Sequence, residues 1–179
     1  MVTVLLADGF EEIEALTPVD LLRRADIDVK TVGIGGKVIT GSHGIRVECD
    51  LTADEVVLGD IDAVVLPGGM PGALNLDASP FVDEVLKEVS ARNGVICAIC
   101  ASPLILGRRG LLLGKRATCY PGFENELCGA TVVDMPSVTD GKIVTGRSMG
   151  ASVEFSKALI ALLCGKEKSE RVASAIIEA

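Results

Sequence analysis

Short runs of aliphatic and β-branched residues recur along the chain and predict buried strands. These runs contain few polar positions, which is typical of strands covered on both faces of a parallel sheet. The strands predicted in this way are 2–6, 28–34, 61–66 and 94–99. The longer segments mix polar and apolar residues and predict helices over 11–24, 79–92, 150–164 and 169–179. Strands that alternate with helices in this way indicate an α/β fold.

Two hairpins are predicted beside these strands. Gly35-Gly36 precedes the first hairpin, whose loop contains His43, and Asp140-Gly141 forms the two-residue turn of the second. The strands of these hairpins and the remaining short strands are 37–40, 45–47, 116–119, 132–133, 137–138 and 142–145. We expect His43 to lie on the surface, because that is where a histidine in such a loop is usually found.

The helix predicted over 11–24 contains an acid in an unusual position. Glu14 shares a face with Pro18 and Leu21, at spacings of four and seven residues. We expect Pro18 to kink this helix or to restart it. Two interpretations of Glu14 stay open: a solvated helix glutamate, or a carboxyl held near the end of the first strand.

A cysteine follows the strand predicted over 94–99. Pro103 favours the first turn of a helix, so the chain turns sharply from strand to helix at Cys100. This arrangement would place the sulfur at the carboxyl edge of the sheet and near the start of a helix, which favours the thiolate. It corresponds to a nucleophile elbow, although Ala98 and Ser102 do not match the glycines of the serine pattern. The alternative is a buried, inert cysteine.

Gly68 and Gly69 directly follow the strand predicted over 61–66. Backbone N–H groups in such a loop can point at a developing oxyanion. The same two glycines would also serve a tight turn from strand to helix. The carboxyl ends of neighbouring parallel strands meet at one edge of the sheet, so we expect this loop to lie beside Cys100.

Composition and charge narrow the function. The 179 residues allow one domain with a substantial core, and 17 basic against 25 acidic residues give a net charge of −8. Without a basic run, nucleic acid is not expected as a partner. The amino terminus lacks the features of a signal peptide, and no segment is apolar over the length of a bilayer. We therefore expect a cytoplasmic protein, with no membrane partner and six reduced cysteines whose spacing does not suit zinc.

Four motifs, taken together and in order, resemble the ThiJ/PfpI superfamily over nearly the whole chain. They are Gly9-Phe-Glu-Glu-Ile-Glu14, Leu66-Pro-Gly-Gly69, Ala98-Ile-Cys-Ala101 and Thr145-Gly-Arg147. The resemblance implies a single domain over 1–179, with a flavodoxin-like three-layer sandwich: a mainly parallel sheet and helices on both faces. It also implies a homodimer that needs neither a metal nor another cofactor.

The same resemblance implies roles for individual residues. The reactive cysteine of the family corresponds to Cys100 and its acidic partner to Glu14, and the oxyanion amides correspond to Gly69 and Ala101, beside Gly68. Members of this branch are described as glyoxalases or deglycases, which act on small reactive carbonyls or glycated substrates. They are also described as oxidation sensors or chaperones, and a purely structural dimer is a further alternative.

The chain departs from the family at several positions. Ala101 follows the cysteine where the protease-like branch carries histidine, so a Cys–His dyad is absent and peptidase activity is not expected. Tyr120 stands where many members have a histidine in the site, and the family pattern would direct Arg24 toward the site of the partner subunit. Cys97 and Cys100 are also spaced as in thioredoxin-like proteins, but Cys97 lies within the predicted strand.

Elementary electrostatics connects Glu14 and Cys100. An ionised Glu14 would raise the pKa of the thiol by repulsion, whereas a protonated Glu14 would donate a hydrogen bond to the thiolate and lower that pKa. We predict that the pair titrates as a unit, with the neutral acid beside the thiolate near pH 7. Such a thiolate would attack aldehydes and would also oxidise readily.

Overall fold

A seven-stranded sheet forms the centre of the protein in the computed structural model, which describes residues 1–176. The strands of this sheet and of two small accessory sheets are β1 (Val2–Ala7), β2 (Val29–Ile34), β3 (Val38–Thr40), β4 (Arg46–Glu48), β5 (Leu51–Thr52), β6 (Ala63–Leu66), β7 (Val95–Ile99), β8 (Arg116–Ala117), β9 (Thr131–Val132), β10 (Ser137–Asp140) and β11 (Ile143–Gly146). The helices are α1 (Glu12–Arg24), α2 (Gly72–Asp77), α3 (Pro80–Ala91), α4 (Pro103–Arg108), α5 (Ser152–Cys164) and α6 (Lys166–Ala175).

The order of strands in the main sheet is β10-β11-β7-β6-β1-β2-β5. All neighbouring pairs are parallel except β10 and β11, which form the antiparallel hairpin predicted at Asp140-Gly141. The register aligns the central strands closely, with Val65 opposite both Val4 and Cys97. The carboxyl ends of β1, β6 and β7 therefore meet at one edge of the sheet, where the predicted site residues lie.

Alternate residues of each strand pack on opposite faces of the sheet. On β1, Leu5 packs with the buried residues of α2, α3 and α4, whereas Val4 and Leu6 pack with those of α1, α5 and α6. Because both faces are covered, the strands are almost continuously apolar, as their sequences predicted. The flavodoxin-like α/β sandwich expected from the sequence is confirmed.

Some elements differ from the sequence predictions. Helix α1 is continuous from Glu12 to Arg24, so the expectation that Pro18 restarts it is wrong. Pro18 is buried beside Val19, on the face of the helix that packs against the sheet. Short β5 and α2 were not predicted, and α6 begins at Lys166 rather than at 169. The end of the predicted terminal helix, 177–179, lies outside the described residues.

The helices of the described residues do not combine the length and the apolar character that crossing a bilayer requires.

Candidate active site

Cys100 occupies a strained turn between β7 and α4. Its φ is +64°, in the left-handed region that costs a residue with a side chain about 1–2 kcal/mol. Two backbone hydrogen bonds hold the turn in place: the Cys100 N–H donates to Gly146 O at 2.9 Å, and the Tyr120 N–H donates to Cys100 O at 2.8 Å. Strain that the surrounding structure maintains at a cysteine is typical of a functional elbow, and the sharp turn predicted from the sequence is present.

A buried serine ties this elbow to the glycine loop. Ser102 is fully buried, and its hydroxyl donates to the carbonyl of Pro67 at 2.5 Å. This hydrogen bond connects the loop after β6 with the loop after β7. It therefore fixes the distance between Gly68 and Cys100.

The loop after β6 can accept only glycine at the two positions nearest the thiol. A Cβ at Gly68 would lie 2.6 Å from both Cys100 Cβ and Glu14 Oε2. Gly69 has a φ of +87°, and a Cβ there would lie 2.4 Å from the Glu11 nitrogen. The absence of side chains lets the backbone approach the sulfur closely.

Two backbone N–H groups reach the thiol as the resemblance implied. They belong to Gly69 and Ala101, and both form hydrogen bonds to the sulfur of Cys100. These amides come from two different loops, yet they converge on one atom. An oxygen attached to a carbon bonded to this sulfur would lie within reach of the same donors.

Glu14 lies beside Cys100 and is shielded from solvent. Its exposed fraction is 1%, its Oε2 accepts the Gly68 N–H at 3.0 Å, and its carboxyl shares a hydrogen bond with Cys100. The interpretation of Glu14 as a solvated helix glutamate is therefore wrong, because the first turn of α1 faces the sheet edge. The structure brings together Glu14, Gly68, Gly69, Cys100 and Ala101.

Burial controls the protonation of this pair. It raises the pKa of Glu14 to about 7, and burial together with the charge of Glu14 raises the pKa of Cys100 to about 12, against the amides of Gly69 and Ala101. Since the two groups share a hydrogen bond, they titrate as a pair. Between about pH 7 and about pH 12 this pair carries a single proton. These two directions favour the proton on sulfur and the charge on Glu14, which is the reverse of the predicted arrangement. The neutral acid beside the thiolate therefore stays a prediction.

A cavity of about 340 Å³ opens above the thiol. Its lining residues are Glu11, Glu14, His43, Gly69, Met70, Cys100, Ala101, Tyr120, Phe123 and Met149. Tyr120 thus belongs to the site, with 47% of its surface exposed. Most of the wall is apolar, so a small carbonyl compound would contact mainly apolar groups beside the sulfur.

Arg24 lies outside this pocket. It sits at the opposite end of α1 from Glu14, where its guanidinium pairs with Asp20 at 2.7 Å. Its expected approach to the site of a partner subunit therefore stays a prediction. A larger groove, of about 690 Å³, lies between α3 and the end of α4, but its arginines, Arg108 and Arg109, are already paired with carboxylates.

The sequence analysis missed two charged residues of the pocket rim, Glu11 and His43. The β3–β4 hairpin folds onto the start of α1, where the Ser42 N–H donates to Phe10 O at 2.7 Å and the Gly9 N–H donates to Thr40 O at 2.8 Å. His43 is exposed, as predicted, yet the hairpin places it over the site. Glu11 had a signal in the sequence, because it lies within the Gly9–Glu14 motif.

A buried carboxylate anchors His43. Oε1 of Glu12 accepts the His43 backbone N–H at 2.9 Å, and its Oε2 lies 3.0 Å from Nδ1 of the ring. Burial alone would raise the pKa of Glu12, but the hydrogen bonds from His43, with further bonds from the backbone, lower it to about 2. The hydrogen bond to Glu12 likewise raises the pKa of His43.

Glu11, Glu12 and His43 are also the residues best placed to hold a metal ion in the described part of the chain. One ligand atom from each lies within 4.8 Å of the others. The ring nitrogen nearest to both carboxylates is hydrogen-bonded to Glu12, so a metal ion would have to displace the proton of an ion pair. This arrangement fits the ion pair better than it fits a resident metal.

The Glu12–His43 pair makes stability depend on pH. Because the pKa of Glu12 is lower in the folded protein, its carboxylate stabilises the fold at pH values above the unfolded pKa of 4.5. This contribution is lost as the pH falls toward 2. A raised histidine pKa stabilises the fold below 6.5, and this contribution is lost as the pH rises through the folded value. We therefore expect Glu12→Gln to lower the free energy of unfolding at pH 6, with a difference from wild type that shrinks toward pH 2.

Urea unfolding at pH 6, 4 and 3 measures this dependence. Glu84→Gln is a matched control, because Glu84 is exposed on α3 and its substitution makes the same change in net charge. A difference between Glu12→Gln and wild type that stays constant from pH 6 to pH 3 would show that the ion pair does not stabilise the fold.

The described cysteines are all unpaired, and only Cys100 lies in the site. Cys97 is fully buried on the α1 side of the sheet, where burial raises its pKa. A disulfide to Cys100 would require Cys97 to leave this packing. The thioredoxin-like alternative thus gains no support from the structure.

Comparison with known proteins identifies relatives along nearly the whole chain. The DJ-1/PfpI family matches residues 1–162. The protein dj-1beta of Drosophila melanogaster is 36% identical over 179 residues, which cover 98% of this chain and 96% of the relative. A protein of Pyrococcus abyssi named as a deglycase is 34% identical over 165 residues, which cover 90% of this chain and 98% of the relative.

A solved structure has a closely similar fold. The structure of oxidized DJ-1 from Toxoplasma gondii superposes with a TM-score of 0.94 at 33% identity, covering 99% of this chain and 98% of that one. Sequence and fold therefore point to the same group of proteins.

Proposed function

The chain belongs to the DJ-1/PfpI family, and from this membership and the geometry around Cys100 we propose that it is a cofactor-independent cysteine enzyme acting on reactive carbonyls. The reaction is of the glyoxalase or deglycase type, in which a 2-oxoaldehyde or its adduct becomes a 2-hydroxy acid. One observation carries the proposal: a cysteine in a left-handed elbow with a buried carboxyl on one side and two converging amides on the other. The deglycase name of the Pyrococcus relative supports the same class of reaction.

The first step is addition of sulfur to the aldehyde carbon. The Cys100 thiolate forms the C–S bond, and the carbonyl electrons move to oxygen, which lies against the N–H groups of Gly69 and Ala101. Glu14 then donates its proton to this oxygen. The product is a neutral hemithioacetal beside an ionised Glu14.

The second step moves a proton between adjacent carbons. Ionised Glu14 removes the hydrogen from the carbon bonded to sulfur, which leaves an enediolate, and then returns this proton to the neighbouring carbon. The hydroxyl proton on the first oxygen moves to the second oxygen, so that the first carbon becomes the thioester carbonyl. This step leaves a thioester of the 2-hydroxy acid on Cys100. Water hydrolyses the thioester, so that methylglyoxal and one water give lactate with no net oxidation or reduction.

The protonation of Glu14 suits both of its roles. A general acid–base catalyst works best when its pKa lies close to the working pH, and burial raises the pKa of Glu14 to about 7 while the neighbouring sulfur is uncharged, as it is in the hemithioacetal. A carboxyl on the protein surface, with an ordinary pKa near 4, would hold too few protons to donate one at neutral pH. Burial of Glu14 is therefore part of the proposed mechanism.

Formation of lactate from methylglyoxal tests this proposal. Purified protein is incubated with methylglyoxal, without glutathione, and lactate is measured rather than the loss of substrate, because methylglyoxal also modifies exposed arginine, lysine and cysteine. We expect lactate to accumulate in proportion to protein concentration. Absence of lactate above the rate in buffer, with Cys100 still reactive toward alkylation, would contradict an enzymatic role.

The glyoxalase and deglycase alternatives can also be distinguished. A hemithioacetal of N-acetylcysteine is supplied at equilibrium with free methylglyoxal. A glyoxalase is limited by the release of free aldehyde, so the rate reaches a plateau as protein is added. A deglycase attacks the adduct itself, and the rate exceeds the rate of spontaneous release.

A second candidate function is oxidation sensing coupled with chaperone activity, and the solved structure of oxidized DJ-1 from Toxoplasma gondii supports it. Peroxide would oxidise the Cys100 thiolate to a sulfenic acid, and a second peroxide would give the sulfinate, which Glu14 and the amides could bind. Conversion of Cys100 to sulfinate by peroxide, with a change in the suppression of aggregation of a client protein and no lactate formation, would favour this function.

The proposed assembly is a homodimer, as the resemblance implied. Sedimentation equilibrium distinguishes a species of twice the 18.6 kDa chain mass from a monomer.

A further inference from the structure

We propose that the pocket above Cys100 selects uncharged or cationic carbonyl compounds over anionic ones, and that Glu11 is a specificity-determining residue. The identity of the substrates rests on the proposed function. The electrostatic selection itself does not, because it can be measured on the thiol without turnover.

The first observation is the set of charged groups in the pocket wall. Among the residues that the structure describes, the ionisable acids and bases lining it, apart from the reactive thiol and Tyr120, are Glu11, Glu14 and His43. No lysine or arginine among residues 1–176 contributes to this wall. An anionic substrate would therefore find no guanidinium or ammonium group to pair with.

The second observation is that Glu11 is held at the rim. The exposed fraction of its side chain is 14%, and its Oε2 accepts a hydrogen bond from the Ser42 hydroxyl at 3.2 Å. Its charge is felt in the site, because it contributes to raising the pKa of Glu14. A negative charge that acts on Glu14 also acts on a substrate bound between Glu14 and Cys100.

The third observation is that His43 does not neutralise this charge. Nδ1 of His43 lies 3.0 Å from Oε2 of Glu12 and 3.6 Å from Oε2 of Glu11. One imidazolium is thus shared between two carboxylates, so the rim keeps a net charge of about −1 even when His43 is protonated. The Cys100–Glu14 pair adds a further negative charge when it loses its first proton.

These charges define a substrate class. Aldehydes without charge and adducts that carry a positive charge enter without repulsion. Aldehydes that carry a carboxylate or a phosphate are repelled from the rim and from the sulfur. One unit charge in a pocket of this size changes the rate about 3- to 10-fold at moderate ionic strength.

Charged thiol reagents test the selection directly. The probes are two methanethiosulfonates, one with a trimethylammonium group and one with a sulfonate, and each transfers its thioalkyl group to the sulfur with release of methanesulfinate. The rate at Cys100 is followed by peptide mass spectrometry. Exposed Cys128 and Cys164 in the same molecules provide the reference for the intrinsic reactivity of each reagent.

At each cysteine, the rate with the cationic reagent is divided by the rate with the anionic reagent. We expect this ratio to be about 10-fold or more higher at Cys100 than at the reference cysteines. Glu11→Gln should reduce this ratio about 3- to 10-fold, whereas Glu84→Gln, which makes the same change in net charge on exposed α3, should leave it unchanged. A change in the fraction of thiolate cancels in the ratio, because both reagents attack the same thiolate. Equal normalised rates, or an unchanged ratio in Glu11→Gln, would overturn the proposal.

A matched pair of substrates extends the test to turnover. Phenylglyoxal and 4-carboxyphenylglyoxal differ by one carboxylate, and we expect kcat/KM to favour the uncharged compound, with a preference that narrows in Glu11→Gln. If neither compound is turned over, this result counts against the proposed function but not against the charge selection, which the ratio of reagent rates at Cys100 still decides. Equal turnover of both compounds would count against the selection alone.

Discussion

Replacement of Cys100 by serine is expected to lower the rate of lactate formation from methylglyoxal by about 10³-fold or more. The hydroxyl of serine holds its proton far more tightly than a thiol does, and Glu14, with a pKa of about 7, is too weak a base to remove it. The elbow and the two amides would remain in place. Loss of activity would therefore reflect the missing nucleophile rather than a collapsed site.

Two other cysteines serve as controls for this substitution. Cys128→Ser changes an exposed thiol and should retain full activity. Cys97→Ala removes the other thiol of the Cys-x-x-Cys spacing from the core, and it should lower stability while leaving kcat/KM of the folded protein close to wild type. Lactate formation by Cys100→Ser at the wild-type rate would leave the proposed enzyme without its nucleophile.

Glu14→Gln is expected to lower kcat/KM by about 10²- to 10⁴-fold. Glutamine nearly preserves the volume of the side chain and can accept the Gly68 N–H, but it cannot exchange a proton with the hemithioacetal. The change should also alter the pH profile. In wild type, activity should rise as the pair loses its first proton near pH 7, whereas the residual activity of Glu14→Gln should lack this transition.

Asp20→Asn is the matched control for Glu14→Gln. Asp20 is an exposed acid on the same helix, paired with Arg24, and its loss changes the net charge by the same amount. Its kcat/KM and pH profile should equal those of wild type. A full retention of activity in Glu14→Gln would mean that the carboxyl takes no part in proton transfer.

Local sequence predicted the centre of the site well. Three features of the sequence have local causes. Burial on both faces explains the apolar run before Cys100, and helix initiation explains the proline after it. Freedom from a side chain explains the paired glycines after β6. The topology of a parallel sheet then brings the ends of β1, β6 and β7 together. The apolar face that Glu14 shares with Pro18 and Leu21 left two interpretations open, and only the family resemblance placed Glu14 beside Cys100.

The rim of the pocket could not be predicted in this way. His43 reaches the site because the β3–β4 hairpin folds onto the start of α1, through hydrogen bonds between residues some thirty positions apart, such as Thr40 to Asp8. No local pattern specifies such a contact. For the same reason, the extent to which burial raises the pKa of Glu14 depends on the packed structure.

The central claim is that the first proton to leave the Cys100–Glu14 pair comes from the sulfur. The ultraviolet absorbance of the thiolate, titrated in wild type and corrected with Cys100→Ser, reports this directly. Burial and the charge of an ionised Glu14 raise the pKa of Cys100. The account nevertheless predicts that about one thiolate is already present near pH 7, because a neutral Glu14 shares its proton with the sulfur, and that this thiolate forms only at higher pH in Glu14→Gln. A Cys100 thiolate that forms only at strongly alkaline pH, or at a lower pH once Glu14 is replaced, would contradict the account.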